Sequence, residues 1–179
     1  AETALFRLVS LSNNSDNITN IIVSIQDDGV FGKKFKKIGV EVISLKMKSV
    51  FYTPIIVYKL FKLFNKYSPD IIQSWMYHAD LFAGIAAFFA KKKIYWGIVN
   101  FNLNKSVIKY STKLTINLCA FLSKTIPEQI ISCSENSIDT HVDIGYCRKK
   151  FKTIPLGIDI NDFYNNSSKR VFFRNKWDL

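Results

Sequence analysis

Short apolar runs of strand length recur along this chain of 179 residues, separated by stretches whose apolar positions follow a helical period. Six runs qualify as strands: Ile21 to Ile25, Val40 to Leu45, Ile71 to Trp75, Ile94 to Trp96, Ile130 to Cys133 and Phe151 to Ile154. Most are continuously apolar rather than alternating, which is how a strand covered on both faces reads. Gln26-Asp27-Asp28-Gly29 closes the first run as a turn signal, Gly39 precedes the second, and Pro155 ends the last.

Helical spacing fills the intervals. Ala4 to Ser12 is a short helix. Pro54 to Tyr67 puts Ile56, Leu60, Leu63, Phe64 and Tyr67 on one stripe, with Thr53 expected as N-cap and Pro54 at the first helical position. Ala79 to Ala90 is apolar nearly all round, the signature of a helix buried in a layered domain. Ser106 to Ser123 and Glu135 to Tyr146 complete the set, the latter with Ser134 as N-cap. Strands alternating with helices imply right-handed βαβ units. The predicted fold class is therefore α/β, a doubly wound Rossmann-like parallel sheet with helices on both faces.

The two ends fit that scheme unevenly. The chain opens in a helix, whereas a doubly wound domain ordinarily starts with a central strand and a Gly-rich turn, so a first strand is expected ahead of Ala1. Residues 1–160 read as one Rossmann-like domain. Residues 161–179 turn polar, then basic and apolar, as a linker into a second domain does.

Composition adds charge to this picture. Lys plus Arg number 25 against 14 Asp plus Glu, a formal net charge of +11. Such an excess suits a polyanion or an anionic membrane surface, although a Lys-, Asn-, Ile- and Phe-rich composition also follows from an AT-rich genome. Three basic runs stand out, at residues 33–37, 91–93 and 148–152. No signature of base readout accompanies them, which disfavours nucleic acid as a partner. Cys119, Cys133 and Cys147 form no close pair, so neither a disulfide framework nor a zinc site is expected, and a cytoplasmic setting follows. The most apolar stretch, Leu81 to Ala90, is too short to span a bilayer, so any membrane contact is expected to be peripheral, at the inner face of the membrane.

Several strings, in order, resemble family 4 glycosyltransferases of the GT-B fold. Ala1-Glu2-Thr3 is similar to the end of that family's Gly-Gly-Ala-Glu turn. Pro69-Asp70-Ile71-Ile72 running to His78-Ala79-Asp80 resembles its "PD-apolar-apolar" strand and the loop beyond. Trp96 to Asn100, Ser134-Glu135 with His141 and Gly145-Tyr146, and Ile154-Pro155-Leu156-Gly157-Ile158-Asp159 through Phe163 resemble later landmarks, as do Arg170 and Arg174. Two positions depart from the pattern: Val99 stands where a basic residue is frequent and Leu156 where Asn is usual.

The resemblance implies the acceptor-side half of an enzyme that transfers a sugar from a nucleotide-sugar donor to a glycan or lipid-linked acceptor in surface polysaccharide synthesis. It implies retention of configuration, no cofactor and no obligatory metal. The donor would be held by a second domain beyond this chain, so the fragment alone is expected to be inactive. A non-catalytic α/β module that binds a glycan or anionic lipid is the alternative. Dinucleotide-binding and P-loop readings are disfavoured because neither GxGxxG nor a Walker motif is present.

In an open α/β sheet, ligands bind beyond the carboxyl ends of the strands. That rule brings Tyr77, His78 and Asp80, then Asn100 and Asn102, then Ser134 and Glu135 to the mouth of the site. His78 is the candidate catalytic residue, placed to hydrogen-bond an acceptor hydroxyl or the transferred sugar, though a lone His at a helix start equally suits a capping role. The others, with Glu2, are the candidate acceptor-binding set. Asp80 and Glu135 also suit first-turn carboxylates that complement a helix dipole. Trp75 and Trp96 are candidates for stacking on a sugar, with core packing the better reading of Trp96.

Overall fold

The computed structural model of the protein describes residues 2–13, 15, 17–99, 109–157 and 167–178. In chain order the elements are α1 (Glu2–Ser12), β1 (Ile21–Ser24), α2 (Gly29–Lys37), β2 (Glu41–Ser44), α3 (Thr53–Tyr67), β3 (Ile72–Trp75) and α4 (Tyr77–Ala90). There follow β4 (Ile94–Ile98), α5 (Tyr110–Leu122), β5 (Gln129–Ser132), α6 (Glu135–Val142), β6 (Phe151–Thr153) and α7 (Ser167–Trp177), with short 3-10 turns at Val50–Tyr52 and Arg148–Lys150. Every strand pairing is parallel, as predicted.

The strands form two ladders. β1 pairs with β2, and β3–β4–β5–β6 form a second ladder in sequence order. Alternation along the strands sorts the helices into layers. Ile22 and Val42 pack on a small core with Val9 of α1 and Phe35 of α2. Their neighbours Val23 and Ile43 point the other way, into the main core built on α3, α4 and α5. Helices thus cover both faces of the β1–β2 ladder. Trp96, Ile94 and Ile98 of β4 and Ile130 of β5 are fully buried, so the centre of the molecule lies along these strands.

The expected helices form, with adjusted ends. Ser134 caps α6, its Oγ accepting from the Ser137 N–H at 3.3 Å. Thr53 is not the cap of α3; the helix already includes it, and Tyr52 holds the cap position. α6 stops at Val142 rather than Tyr146, because the chain turns through Gly145 at φ +114.

Two helices escape the sequence pattern. α2 occupies what reads as a turn and a lysine run. Only Phe31 and Phe35 mark an apolar stripe there, too few to stand out in nine residues dominated by lysine. α7 forms where a polar loop and linker are expected, and none of its residues is buried. No described helix is long and apolar enough to cross a membrane.

Candidate functional site

Between the two ladders the facing edges of β1 and β3 have no strand partner among the described residues. They border a cleft of about 990 Å³ lined by Ile21 to Ile25 on one side and Ile71 to Trp75 on the other. Phe35 of α2 closes one face, and Phe64 of α3 with Phe82 of α4 close the other. At its mouth, where β1 and β3 end, the cleft is polar: Glu2, Asp27, Asp28 and His78 line it. Residues from the start of the chain and from the β3–α4 junction therefore meet at one opening.

The β3–α4 junction is tight. Met76 sits between strand and helix at φ +71, ψ 159, a conformation costly for a residue with a side chain, and strain of this kind concentrates at functional sites. This abrupt turn brings the first residues of α4 to the mouth. His78 is exposed there, edge-on to Phe82 with ring centroids 6.2 Å apart. Partial burial holds its pKa below the ordinary histidine value. Neutral imidazole is thus the form present near pH 7, able to accept a proton or a hydrogen bond.

Tyr77 and Asp80, expected at the acceptor, turn inward instead. Tyr77 is 4% exposed, and its hydroxyl meets His141 Nε2 at 2.9 Å. His141 Nδ1 lies 2.6 Å from the Ser137 carbonyl, to which it donates; Nε2 is then the acceptor for Tyr77. Burial lowers the His141 pKa, consistent with that neutral tautomer. Burial likewise raises the Tyr77 phenol well above its usual range.

Asp80 exposes nothing to solvent. Its Oδ1 accepts from Ser74 Oγ at 2.5 Å, the Gly97 backbone N–H also supports the carboxyl group, and Oδ2 is buried without a protein partner. Desolvation outweighs the stabilising influence of the Ser74 hydroxyl and the Gly97 N–H and pushes the Asp80 pKa well above the usual carboxylate value. The residue ties α4 to β3 and β4 beneath the mouth. It reaches no ligand there.

Further along the ladder, Ser134 and Glu135 follow β5. Ser134 is committed to capping, and the exposed Glu135 accepts from Thr153 Oγ1 at the end of β6. The Cys133 thiol approaches the Val99 carbonyl at 3.6 Å, joining the ends of β4 and β5. Asn100 and Asn102 lie outside the described residues. Glu2 and His78 therefore share the mouth of the cleft, Ser134 and Glu135 stand at the β5–β6 end, and Tyr77 and Asp80 support from below.

Sequence reasoning missed the Asp27–Asp28 pair as a mouth feature, having taken it as a turn. Asp28 is held below the usual carboxylate value by hydrogen bonds from Lys36 and Ser44. The available signal was the acidic pair placed just before a lysine-rich segment. Nothing in the sequence announced Met76. Among the described residues, no group of three or more His, Cys, Asp or Glu is placed to hold a metal ion.

No family model matches the sequence, and no curated protein does. Solved structures match it in fold. Anabaena Alr3699/HepE, crystallised with UDP and glucose, matches with a TM-score of 0.74 at 17% identity, over 99% of this chain and 46% of that one. The lipopolysaccharide outer core galactosyltransferase WaaB matches at 0.61 and 13% identity, over 89% and 42% of the two chains. S. aureus MnaA in its UDP co-structure matches at 0.62 and 12% identity, over 96% and 48%. The chain thus spans about half the length of the structures it matches, and its architecture is that of one Rossmann-like half of a GT-B fold.

Proposed function

We propose that this chain is the acceptor-side half of a glycosyltransferase that uses a nucleotide-activated sugar. The observation that carries the reading is the coincidence of two independent facts. The whole chain superposes on less than half of HepE, and its ordered strings resemble the acceptor-side half of family 4 enzymes. The structures of HepE and MnaA hold UDP, which favours a uridine nucleotide as the donor's carrier. The family 4 resemblance extends the reading to retention of configuration and to a glycan or lipid-linked acceptor in surface polysaccharide synthesis.

In the reaction, the acceptor oxygen bonds to the anomeric carbon as the bond to the nucleoside diphosphate oxygen breaks, and the acceptor's proton passes to the departing diphosphate. His78, neutral and open to the mouth, orients the acceptor hydroxyl or the incoming sugar. The N-terminus of α4 directs backbone N–H groups at the same opening, where developing negative charge on the diphosphate is favoured. The donor itself is held by a second half, and this chain alone does not turn over. The cleft between β1 and β3 takes one further parallel strand, the one expected ahead of Ala1. Its two apolar walls and its unpaired facing edges support that assignment.

A second reading has a specific observation behind it. UDP-N-acetylglucosamine 2-epimerases, including one from Rickettsia bellii at TM-score 0.61, share this fold. Product analysis separates the two. With a panel of UDP- and GDP-sugars and a lipid-linked acceptor, the protein carrying both halves should release nucleoside diphosphate and place the sugar on the acceptor with its anomeric configuration kept. His78→Ala should lower that rate by about 100-fold or more without changing the melting temperature. Formation of an epimeric nucleotide sugar, with no transfer, would replace the glycosyltransferase reading.

A further inference from the structure

The positive charge of this protein is not spread over its surface. Residues 45–127 hold twelve of its basic residues, all lysine, and only two acids, Asp70 and Asp80; the remaining 96 residues together are close to neutral. Of those two acids, Asp80 is fully buried. The segment comprises α3, β3, α4, β4 and α5, and its three helices pack side by side, α3 on α4 and α4 on α5. The strand alternation described above sets α3 on the opposite face of the β1–β2 ladder from α1 and α2. Eleven of those twelve lysines lie among the described residues, nine of them on or beside α3, α4 and α5, so most of the excess positive charge belongs to this layer of helices.

That layer is also unusually apolar on its outside. Phe51 is 93% exposed, Phe89 67%, Phe88 63%, Phe121 72% and Tyr58 56%. Between α3 and α4 lies an apolar groove of about 300 Å³, lined by Pro54, Val57, Tyr58, Phe61 and Phe89. Lys62 stands against one of these rings, its Nζ 4.9 Å from the centre of Tyr58. The ion pairs found among the described residues, Lys36–Asp28 and Arg148–Asp139, both lie outside the layer. Of the three basic runs in the sequence, only 91–93 belongs to it.

We infer that the α3–α4–α5 face docks on an anionic phospholipid bilayer. Exposed aromatic rings interleaved with lysines, on helices too short to span, make an interfacial surface: the rings enter the headgroup boundary while the ammonium groups meet lipid phosphates. A soluble polyanion would satisfy the lysines and leave the rings in water, so a bilayer is the occupant that uses both features. The inference rests on surface chemistry alone and stands whether or not the glycosyl-transfer reading does.

Co-sedimentation of the 179-residue chain with vesicles tests it. Binding is expected with phosphatidylcholine–phosphatidylglycerol vesicles at low salt, and about 10-fold or more weaker with phosphatidylcholine alone or at high salt. Phe88→Glu/Phe89→Glu and Lys62→Glu/Lys113→Glu should each reduce binding by about 10-fold or more. The equally charged Lys33→Glu/Lys37→Glu on α2 should leave it nearly unchanged. Circular dichroism of each variant checks that the surface changes preserve the fold. Hydrogen exchange on the bound wild-type chain, which needs no variant, should slow at residues 51–58, 88–93 and 110–121. Absence of binding, binding indifferent to lipid charge, loss equal in the α2 control, or slowed exchange confined to other segments would overturn the proposal. Heparin binding that displaces the vesicles and is unaffected by the phenylalanine changes would assign the face to soluble polyanions instead.

Discussion

Replacing Asp80 by Asn removes an ionisable group from a fully buried site while keeping its shape. In the wild type, burial raises the folded-state pKa of Asp80 well above that of the unfolded chain. Between those two values the folded state binds more protons than the unfolded one, so this residue makes stability fall as pH rises. Its penalty is absent below the unfolded carboxylate value, about 3.9, and grows by about 1.4 kcal/mol per pH unit until the folded pKa is reached. An amide at position 80 escapes that slope, and its carbonyl oxygen can still accept from Ser74 Oγ.

Urea unfolding followed by tryptophan fluorescence at a series of pH values from 5 to 8 measures the effect, since Trp96 is buried on the strand next to Asp80's anchor. The stability of Asp80→Asn relative to wild type should improve steadily with pH at that slope and then level off. His141, whose folded pKa is lowered, acts in the opposite sense, costing stability as pH falls below about 6.5. It does so in both proteins and cancels in the difference. Stability curves that stay parallel across this range would refute the claim that Asp80 is held neutral by burial. Asp80→Ala should be destabilised at every pH, by about 1–3 kcal/mol, because it strips the acceptor from the buried Ser74 hydroxyl.

Gly97→Ala should cost about 1–3 kcal/mol in urea unfolding, since a Cβ there would stand 3.0 Å from the Ser74 backbone oxygen, which the β3–β4 ladder holds in place. Gly84→Ala, facing the Trp96 ring at 3.2 Å, should cost less, because a side chain gives way more readily than backbone. For the cleft, extending the chain before Ala1 by an apolar strand of about five residues and a Gly-Gly turn should raise the melting temperature. It should also slow amide exchange along β1 and β3. An extension that changes neither would remove the missing-strand assignment.

Much of this fold was legible because its strands are short, rich in isoleucine and valine, and set off by turn residues. Ile71 to Trp75 and Ile130 to Cys133 each open on two isoleucines and are short enough for strands, and both became ladder strands within a residue of the expected ends. Ser134 was legible as a cap because a hydroxyl before a helix satisfies an otherwise unpaired N–H. α2 was not, because its stability comes from two phenylalanines docking on α1 and β2, a tertiary effect no local pattern records.

The site was read less completely. Asp80 sits on a helix that is apolar all round, and such a helix buries its polar residues too; that was the signal against a role at the surface. Tyr77 became a buried partner of His141, 64 residues away, a pairing set by how α6 returns along the sheet. The separation of β1–β2 from β3–β6 has no local marker. Only the general scheme of a doubly wound sheet pointed to it.

The most direct test of a site split between two halves compares sugar transfer by the 179-residue chain with transfer by the longest polypeptide its reading frame encodes. Both are assayed with the same nucleotide-sugar panel and lipid-linked acceptor. The account predicts no turnover by the chain alone and transfer once the second half is present. Robust transfer by the 179-residue chain would contradict it.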